Sequence, residues 1–412
     1  MKWWHAGLVM IAETVSLGIL SLPKVLSEVG LIPGVILIIG LSAIATYTGY
    51  IIGQFKQRYP QTHSMADAGW IIGGPKYGRI VKEICGVGQL GFLIFCMSAH
   101  VLSFAIMLNV LTDHKMCTIW FMFIGMIVSL ICTIPRTLKH MAFLAIASFL
   151  SVIGAVMVTM VGVGTRNQPT GPVEMVRKES FIPAFNAVTN ICFAYAGHLT
   201  FFTFISEMKN PKDFPKALAL LQISDTALYV LSAIVIYCFT GYGVASPALR
   251  SAGVTLGKVA YGLASATIII SGVVNAHVAA KYIIVRMYRN EANTDNLNIK
   301  TKKSWMVWLG LITGLWIIAW LIAEAIPVFN NLLSLTAALF VSWFTFGLNA
   351  LFWFHLNWDV KFKGKKNIWL TCVNAFIIFV GLVVMFVGTY TSIHGIIHEA
   401  ASQVFSCADN SL

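Results

Sequence analysis

The sequence predicts an all-α polytopic membrane protein with eleven transmembrane helices, the first and sixth of them broken, and three observations predict it. The chain is 58% hydrophobic and 11% charged, against about 25% charged in an ordinary soluble domain. Its apolar runs are long enough to cross a hydrocarbon core, which takes about 20 residues per helix. Only helices or closed barrels satisfy their backbone hydrogen bonds there, and runs of this length mean helices. Finally, its Lys and Arg alternate from side to side along the chain.

The runs are residues 4–28, 31–55, 86–111, 117–134, 141–164, 183–207, 217–244, 256–288, 305–325, 332–356 and 368–393. The first has only Lys2 ahead of it, is interrupted by Glu13 and runs too long for a cleaved signal, so it reads as a retained span. Segment 56–85 mixes polar and apolar residues (Met65-Ala66-Asp67-Ala68-Gly69-Trp70) and predicts an interfacial helix ending near Gly73-Gly74-Pro75. The fourth run is short. In 166–182, Pro169, Gly171 and Pro172 mark irregular structure. The eighth run is long enough to continue past the membrane as a helix, and the polar stretch 290–303 links it to the ninth. Residues 1–412 thus form one transmembrane domain, with helices 1–5 in 1–164, helices 6–10 in 183–356, helix 11 at 368–393 and an external tail at 394–412.

With a cytoplasmic N-terminus, only Lys24, Lys115, Arg166, Arg177, Lys178, Arg250 and Lys258 of the 28 Lys and Arg fall outside. A miscounted span would scramble this bias, which sets orientation because positive charge stays in short cytoplasmic loops. The C-terminus is therefore external. The net charge of +12 reads as topology and contact with anionic membrane lipids, not as nucleic-acid binding. The plasma membrane is the expected location, a vacuolar membrane the alternative. The eight Cys show no metal-ligand spacing, and most read as buried thiols. Cys117 and Cys407 both face outward, so a disulfide between them is open in an oxidising compartment, although the sequence does not say that their Cα atoms come within reach. No Asn-x-Ser/Thr acceptor marks the outer face.

The two breaks are the most informative residues. The first runs Glu13-Thr14-Val15-Ser16-Leu17-Gly18-Ile19-Leu20-Ser21-Leu22-Pro23, and the second Asn190-Ile191-Cys192-Phe193-Ala194-Tyr195-Ala196-Gly197-His198-Leu199-Thr200. Paired interruptions in the two halves of a polytopic chain point to a carrier's substrate site. Unwinding around Ser16, Leu17 and Gly18 frees N–H groups at the positive end of the following half-helix, where a carboxylate binds. Carbonyls freed near Ala194, Tyr195 and Gly197 can take an ammonium. Phe193 and Tyr195 either close over an apolar side chain or pack between helices. Thr14, Ser16 and Ser21 either serve substrate or bond to their own helix, and Gly18 and Gly197 admit either close substrate approach or close packing.

Ionisable groups within spans are functional hypotheses, because burying charge in hydrocarbon is costly. Glu13, one turn before the first break, is the candidate ion-coupling group, the alternative being a fixed partner for a Lys. His198 is a second candidate, or a neutral ring bonded within the bundle. Asp225 and Glu324 are weaker. Asn275 and His277 either line a pathway or join helices.

The two breaks, together with Met208-Lys209-Asn210-Pro211-Lys212-Asp213-Phe214-Pro215-Lys216-Ala217 and Asn275-Ala276-His277-Val278-Ala279-Ala280-Lys281, resemble the amino acid/auxin permease family. They are most similar to its fungal neutral amino acid permeases. The resemblance implies a LeuT-like 5+5 inverted repeat plus one extra helix, and ion-coupled import of neutral amino acids, aliphatic or aromatic, by alternating access. Protons are the coupling ion it implies. Sodium is the alternative, with Ser271, Ser265 and Thr267 offering oxygens. No hydrophilic tail precedes Trp3, a departure from the family that puts tail-mediated regulation in doubt. No further cofactor is expected. An amino-acid-sensing receptor of the same fold stays open, whereas an enzyme lacks any catalytic cluster and a channel lacks a filter repeat.

Overall fold

Every apolar run becomes helical in the computed structural model of the chain, which describes residues 1–136, 141–165, 170–288, 302–399 and 404–410. Lys139, Arg166, Pro169, Arg289, Lys300, most of the polar stretch 290–303 and parts of the tail 394–412 lie outside the described residues. Among the described residues there is no β-strand. The first run forms α1 (Trp3–Thr14) and α2 (Leu17–Val29), bent by 60° from one another. The others are α3 (Leu31–Arg58), α4 (Met65–Thr112), α5 (Thr118–Thr133), α6 (Met141–Gly164), α7 (Phe181–Ala194) and α8 (His198–Glu207), then α9 (Phe214–Thr240), α10 (Val254–Met287), α11 (Lys302–Ala325), α12 (Phe329–Thr336), α13 (Leu348–Leu356) and α14 (Lys365–Glu399).

Nine helices among the described residues are long and apolar enough to cross a membrane, or ten when the bent pair α1 and α2 counts as one span. The fourth run, expected as an eleventh span, is the 16-residue α5, which falls short of the roughly 20 residues a perpendicular crossing needs. Two elements differ in detail from the sequence reading. The interfacial helix ends at Gly73 as read, but Gly74 (φ 61°, ψ −168°) turns the chain and helix resumes at once from Pro75 to Thr112. Glycine tolerates that positive φ, and proline is at home in a helix's first turn, where no N–H is needed. The third span therefore carries Lys76, Arg79 and Lys82 on its helical extension. In the tenth run, Ala337–Gly347 between α12 and α13 is wound as a π-helix, with the Leu348 N–H bonded to the Trp343 carbonyl, a widening that straightforward α-periodicity does not foresee.

The packing is that of a membrane bundle. Ile36, Phe143, Leu150, Phe379 and Phe386 are each more than half exposed on outer helix faces, whereas Asn190, Asp225, Thr267 and Asn349 are buried inside. Such a surface suits lipid, not water. The half-helix α2 packs on the half-helix α7, and α1 packs on the full-length α9, while α10 packs against both α6 and α4. At one end, Cys117 and Cys407 are bonded, with Cα atoms 4.4 Å apart. Thr118 Oγ1 donates to the Ala408 carbonyl at 2.6 Å and Asn109 Nδ2 to Asn410 Oδ1 at 2.8 Å, so the C-terminal segment is strapped across the α4–α5 turn. Close by, Lys258 Nζ bonds Asp113 Oδ2 at 2.7 Å and holds that carboxyl below the usual carboxylate range.

Candidate substrate site

Helix α1 stops because Val15 (ψ 90°) and Ser16 (φ −138°, ψ −124°) leave helical geometry. The first N–H groups of α2 consequently lack partners one turn back. Ser16 stands at the N-cap position but does not cap with its side chain; its Oγ lies 3.4 Å from Ser271 Oγ. The second break closes more tightly, with Tyr195 N–H bonded to the Cys192 carbonyl at 3.2 Å and Ala196 N–H to Phe193 at 3.1 Å. The two breaks press on each other. A Cβ on Gly18 would stand 2.8 Å from Ala194 Cα, and one on Gly197 would stand 2.5 Å from Thr14 Cγ2.

Around them lies a cavity of about 130 Å³, close to the ~150 Å³ that holds a benzene-sized guest elsewhere. Glu13, Thr14, Ser16, Leu17 and Gly18 form one wall, and Phe193, Ala196, Gly197, Leu199 and Thr200 another. Helix α4 contributes Gln89, Phe92, Leu93, Cys96 and His100, a stripe at three- and four-residue spacing along one face. Helix α10 adds Ile270, Ser271, Val274, Asn275 and Val278, and α6 adds Ala145 and Ser148. Glu13 is the one Asp, Glu, Lys or Arg in this lining, and among the described residues no basic side chain lies within ion-pair distance of it.

Of the residues singled out from sequence, Ala194, Tyr195, His198 and His277 stand behind the wall instead of in it. The Ala194 carbonyl accepts from Tyr229 Oη at 3.0 Å, and Tyr195 stacks edge-on against Tyr229 with centroids 5.4 Å apart. His198 is fully buried, its Nε2 2.9 Å from the Ala45 carbonyl and 3.0 Å from Thr48 Oγ1. His277 packs on Trp308 at 5.3 Å. Glu324 accepts from Trp320 Nε1 at 3.1 Å, away from the cavity. Of the hydroxyls offered for sodium, Ser271 and Thr267 lie 3.0 and 2.8 Å from Ser148 Oγ, while Ser265 turns back to its own helix at Gly262.

Several residues near the site carried no sequence signal. Gln89 and Ser148 sit in apolar runs indistinguishable from lipid-facing ones; His100 is the exception, an ionisable group within the third span that carries the same signal as His198. Asp225 Oδ2 lies 2.8 Å from Thr14 Oγ1, behind the first break, in a contact that no local pattern announces.

A family model for transmembrane amino acid transporter proteins matches residues 1–394. The chain belongs to that family. It is 37% identical to an N amino acid transport system protein of Neurospora crassa, over 99% of this chain and 88% of the relative. A transmembrane transporter of Fusarium pseudograminearum is 31% identical over 100% of this chain and 88% of its own length. An amino acid transporter of Arabidopsis thaliana is 23% identical over 88% of this chain and 84% of the relative. The transporter is thus a multi-pass integral membrane protein and not an enzyme, in line with the resemblance carried by its four motifs.

Proposed function

We propose that the transporter imports neutral amino acids, aliphatic or aromatic, by proton symport through alternating access, with Glu13 as the proton-coupling group. The observation that carries this reading is a carboxyl without a basic partner among the described residues, in the wall of a small, mostly apolar cavity, one turn from the unpaired N–H groups of α2. Those N–H groups would hold the substrate carboxylate, and Glu13 would respond to the same event. A single acidic group in the lining provides no counter-charge for an acidic side chain, and Phe92, Leu93, Phe193 and Val274 favour an apolar one. In this reading α5 crosses the membrane, the spans number eleven, and the two broken ones correspond in a 5+5 inverted repeat with α14 appended. The plasma membrane is the proposed location, with the N-terminus inside.

The hydroxyl cluster of Ser16, Ser148, Thr267 and Ser271 favours sodium as a second reading, since oxygens grouped beside an unwound helix suit a hard cation. One experiment tests both. Purified protein in proteoliposomes is offered a panel of labelled amino acids under a pH gradient and a sodium gradient imposed separately, alongside Glu13→Gln. Accumulation driven by inward protons, lost in Glu13→Gln while substrate exchange continues, is the expected result. Accumulation driven by sodium alone replaces the proton reading with the second one, and saturable binding without uptake replaces both with a receptor.

A further inference from the structure

Thr14 Oγ1 lies 2.8 Å from Asp225 Oδ2 and 2.9 Å from the Met10 carbonyl oxygen. A hydroxyl carries one proton, and an ionised carboxylate and a carbonyl are both acceptors only. If Asp225 were ionised, Thr14 would donate to one of the two and turn lone pairs toward the other. With a proton on Oδ2, Asp225 donates to Thr14 Oγ1, Thr14 donates to Met10, and each short contact contains its own proton. The surroundings agree. Asp225 is 2% exposed, its Oδ1 has no hydrogen-bond partner among the described residues, and no Lys, Arg or His there forms an ion pair with it. A charge buried so poorly satisfied is strongly disfavoured.

The groups facing Asp225 offer no compensation. Tyr195, from the second break, and Tyr229, on its own helix, are the titratable neighbours. From α3 comes Ser42, whose hydroxyl pairs with that of Thr226 on Asp225's own helix, α6 contributes no titratable residue, and Lys24 and Glu28 of α2 pair with each other. Glu13 of α1 belongs to the cavity wall.

We propose that Asp225 carries a proton in this conformation and is the positioning residue that ties proton occupancy to the bend between α1 and α2, acting through Thr14. Release of the proton from Oδ2 to water leaves a carboxylate. Thr14 then redirects its hydroxyl from Met10 to Oδ2, and the last turn of α1 loses a side-chain tie just before Val15. Tyr229, one turn further along α9, donates to Ala194 at the second break, so one helix holds both breaks and can transmit the change. The coupling half of this inference rests on the proton-symport reading above; the protonated carboxyl does not.

The test has two arms on the full-length protein. Infrared spectroscopy of wild type minus Asp225→Asn reads the carbonyl stretch of a protonated carboxyl directly; a positive band at neutral pH is expected, and its absence overturns the proposal. Should Asp225→Asn not fold, the same band is sought in wild type made with isotope-labelled aspartate, where a protonated aspartic acid supports the assignment and its absence overturns it. In proteoliposomes, Asp225→Asn is expected to keep substrate counterflow, which needs no net proton movement, and to lose accumulation driven by a pH gradient. Accumulation equal to wild type overturns the proposal. Loss of counterflow and accumulation together assigns Asp225 a merely structural part and overturns it as well. A wild type that takes up substrate without any proton dependence ends the symport reading instead, and the infrared arm still decides whether Asp225 is protonated.

Discussion

Gly18 and Gly197 are reciprocal residues, each lying where the other break comes closest, and their two contacts differ in kind. At Gly18 the neighbour is backbone, Ala194 Cα, at 2.8 Å from an added Cβ; at Gly197 it is the methyl Cγ2 of Thr14, at 2.5 Å. Backbone cannot step aside, but a methyl can be removed. Gly18→Ala should therefore lower the melting temperature of the purified protein and abolish uptake, with overpacking worth about 1–3 kcal/mol. Gly197→Ala should do the same alone, yet regain most uptake when combined with Thr14→Ser, which deletes the methyl and keeps the hydroxyl for Asp225. Transport assays and melting curves on the four variants check this; equal rescue of both glycine variants by Thr14→Ser would contradict the packing account. These glycines were legible because an interruption of an apolar run is a local signal. Asp225 carries only a weak signal and Tyr229 none, because their partners, Thr14 and Ala194, sit 211 and 35 residues away, and only folding brings such pairs together. Likewise, Ala194 and Tyr195 lie at the second break, but the turn that follows puts them behind the cavity wall.

Among the elements, α9 clasps both breaks, Asp225 reaching Thr14 and Tyr229 reaching Ala194. Its Tyr229 ring is fully buried, so Tyr229→Phe removes one hydrogen bond with little change of shape and leaves the Ala194 carbonyl short of a donor. That should cost about 1–3 kcal/mol, read as a lower melting temperature. Because Ala194 lies outside the cavity wall, uptake should lose maximal rate while the substrate concentration for half-maximal uptake stays near wild type. A change confined to apparent affinity would instead place Tyr229 in direct service of substrate. At this scale the sequence reading did well wherever length and apolarity decide, as in α3, α6 and α14. It missed where tertiary contacts decide. The π-wound Ala337–Gly347 holds no proline and its only glycine is its last residue, so nothing local marks it. Its winding accommodates α14, whose Gly381 comes so near that a Cβ there would stand 2.8 Å from the Ser342 carbonyl oxygen. The helix resuming at Pro75 is hidden for another reason, since Lys76, Arg79 and Lys82 look like loop residues until Gly74 is seen to end one helix and turn the chain straight into the next.

For the whole molecule, the bonded pair Cys117 and Cys407 joins points 290 residues apart at one face, and this gives the proposed orientation a direct test. The positive-inside argument puts that face outside, where thiols oxidise. In right-side-out vesicles carrying a variant whose other cysteines are replaced, a membrane-impermeant maleimide should label nothing at first and should label both Cys117 and Cys407 once an impermeant reductant has acted. Inside-out vesicles should stay unlabelled under the same treatment. Cys117→Ser, Cys407→Ser and the double variant should melt at the same lowered temperature, because either substitution removes the whole link. The strap would then hang on the bonds from Asn109 and Thr118 to Asn410 and Ala408, and its release should be seen as new protease cleavage near the C-terminus from the outer side only. Labelling in inside-out vesicles alone would invert the topology, place the Lys-rich loops outside, and with them reverse the direction in which an inward proton gradient could drive substrate through the cavity beside Glu13.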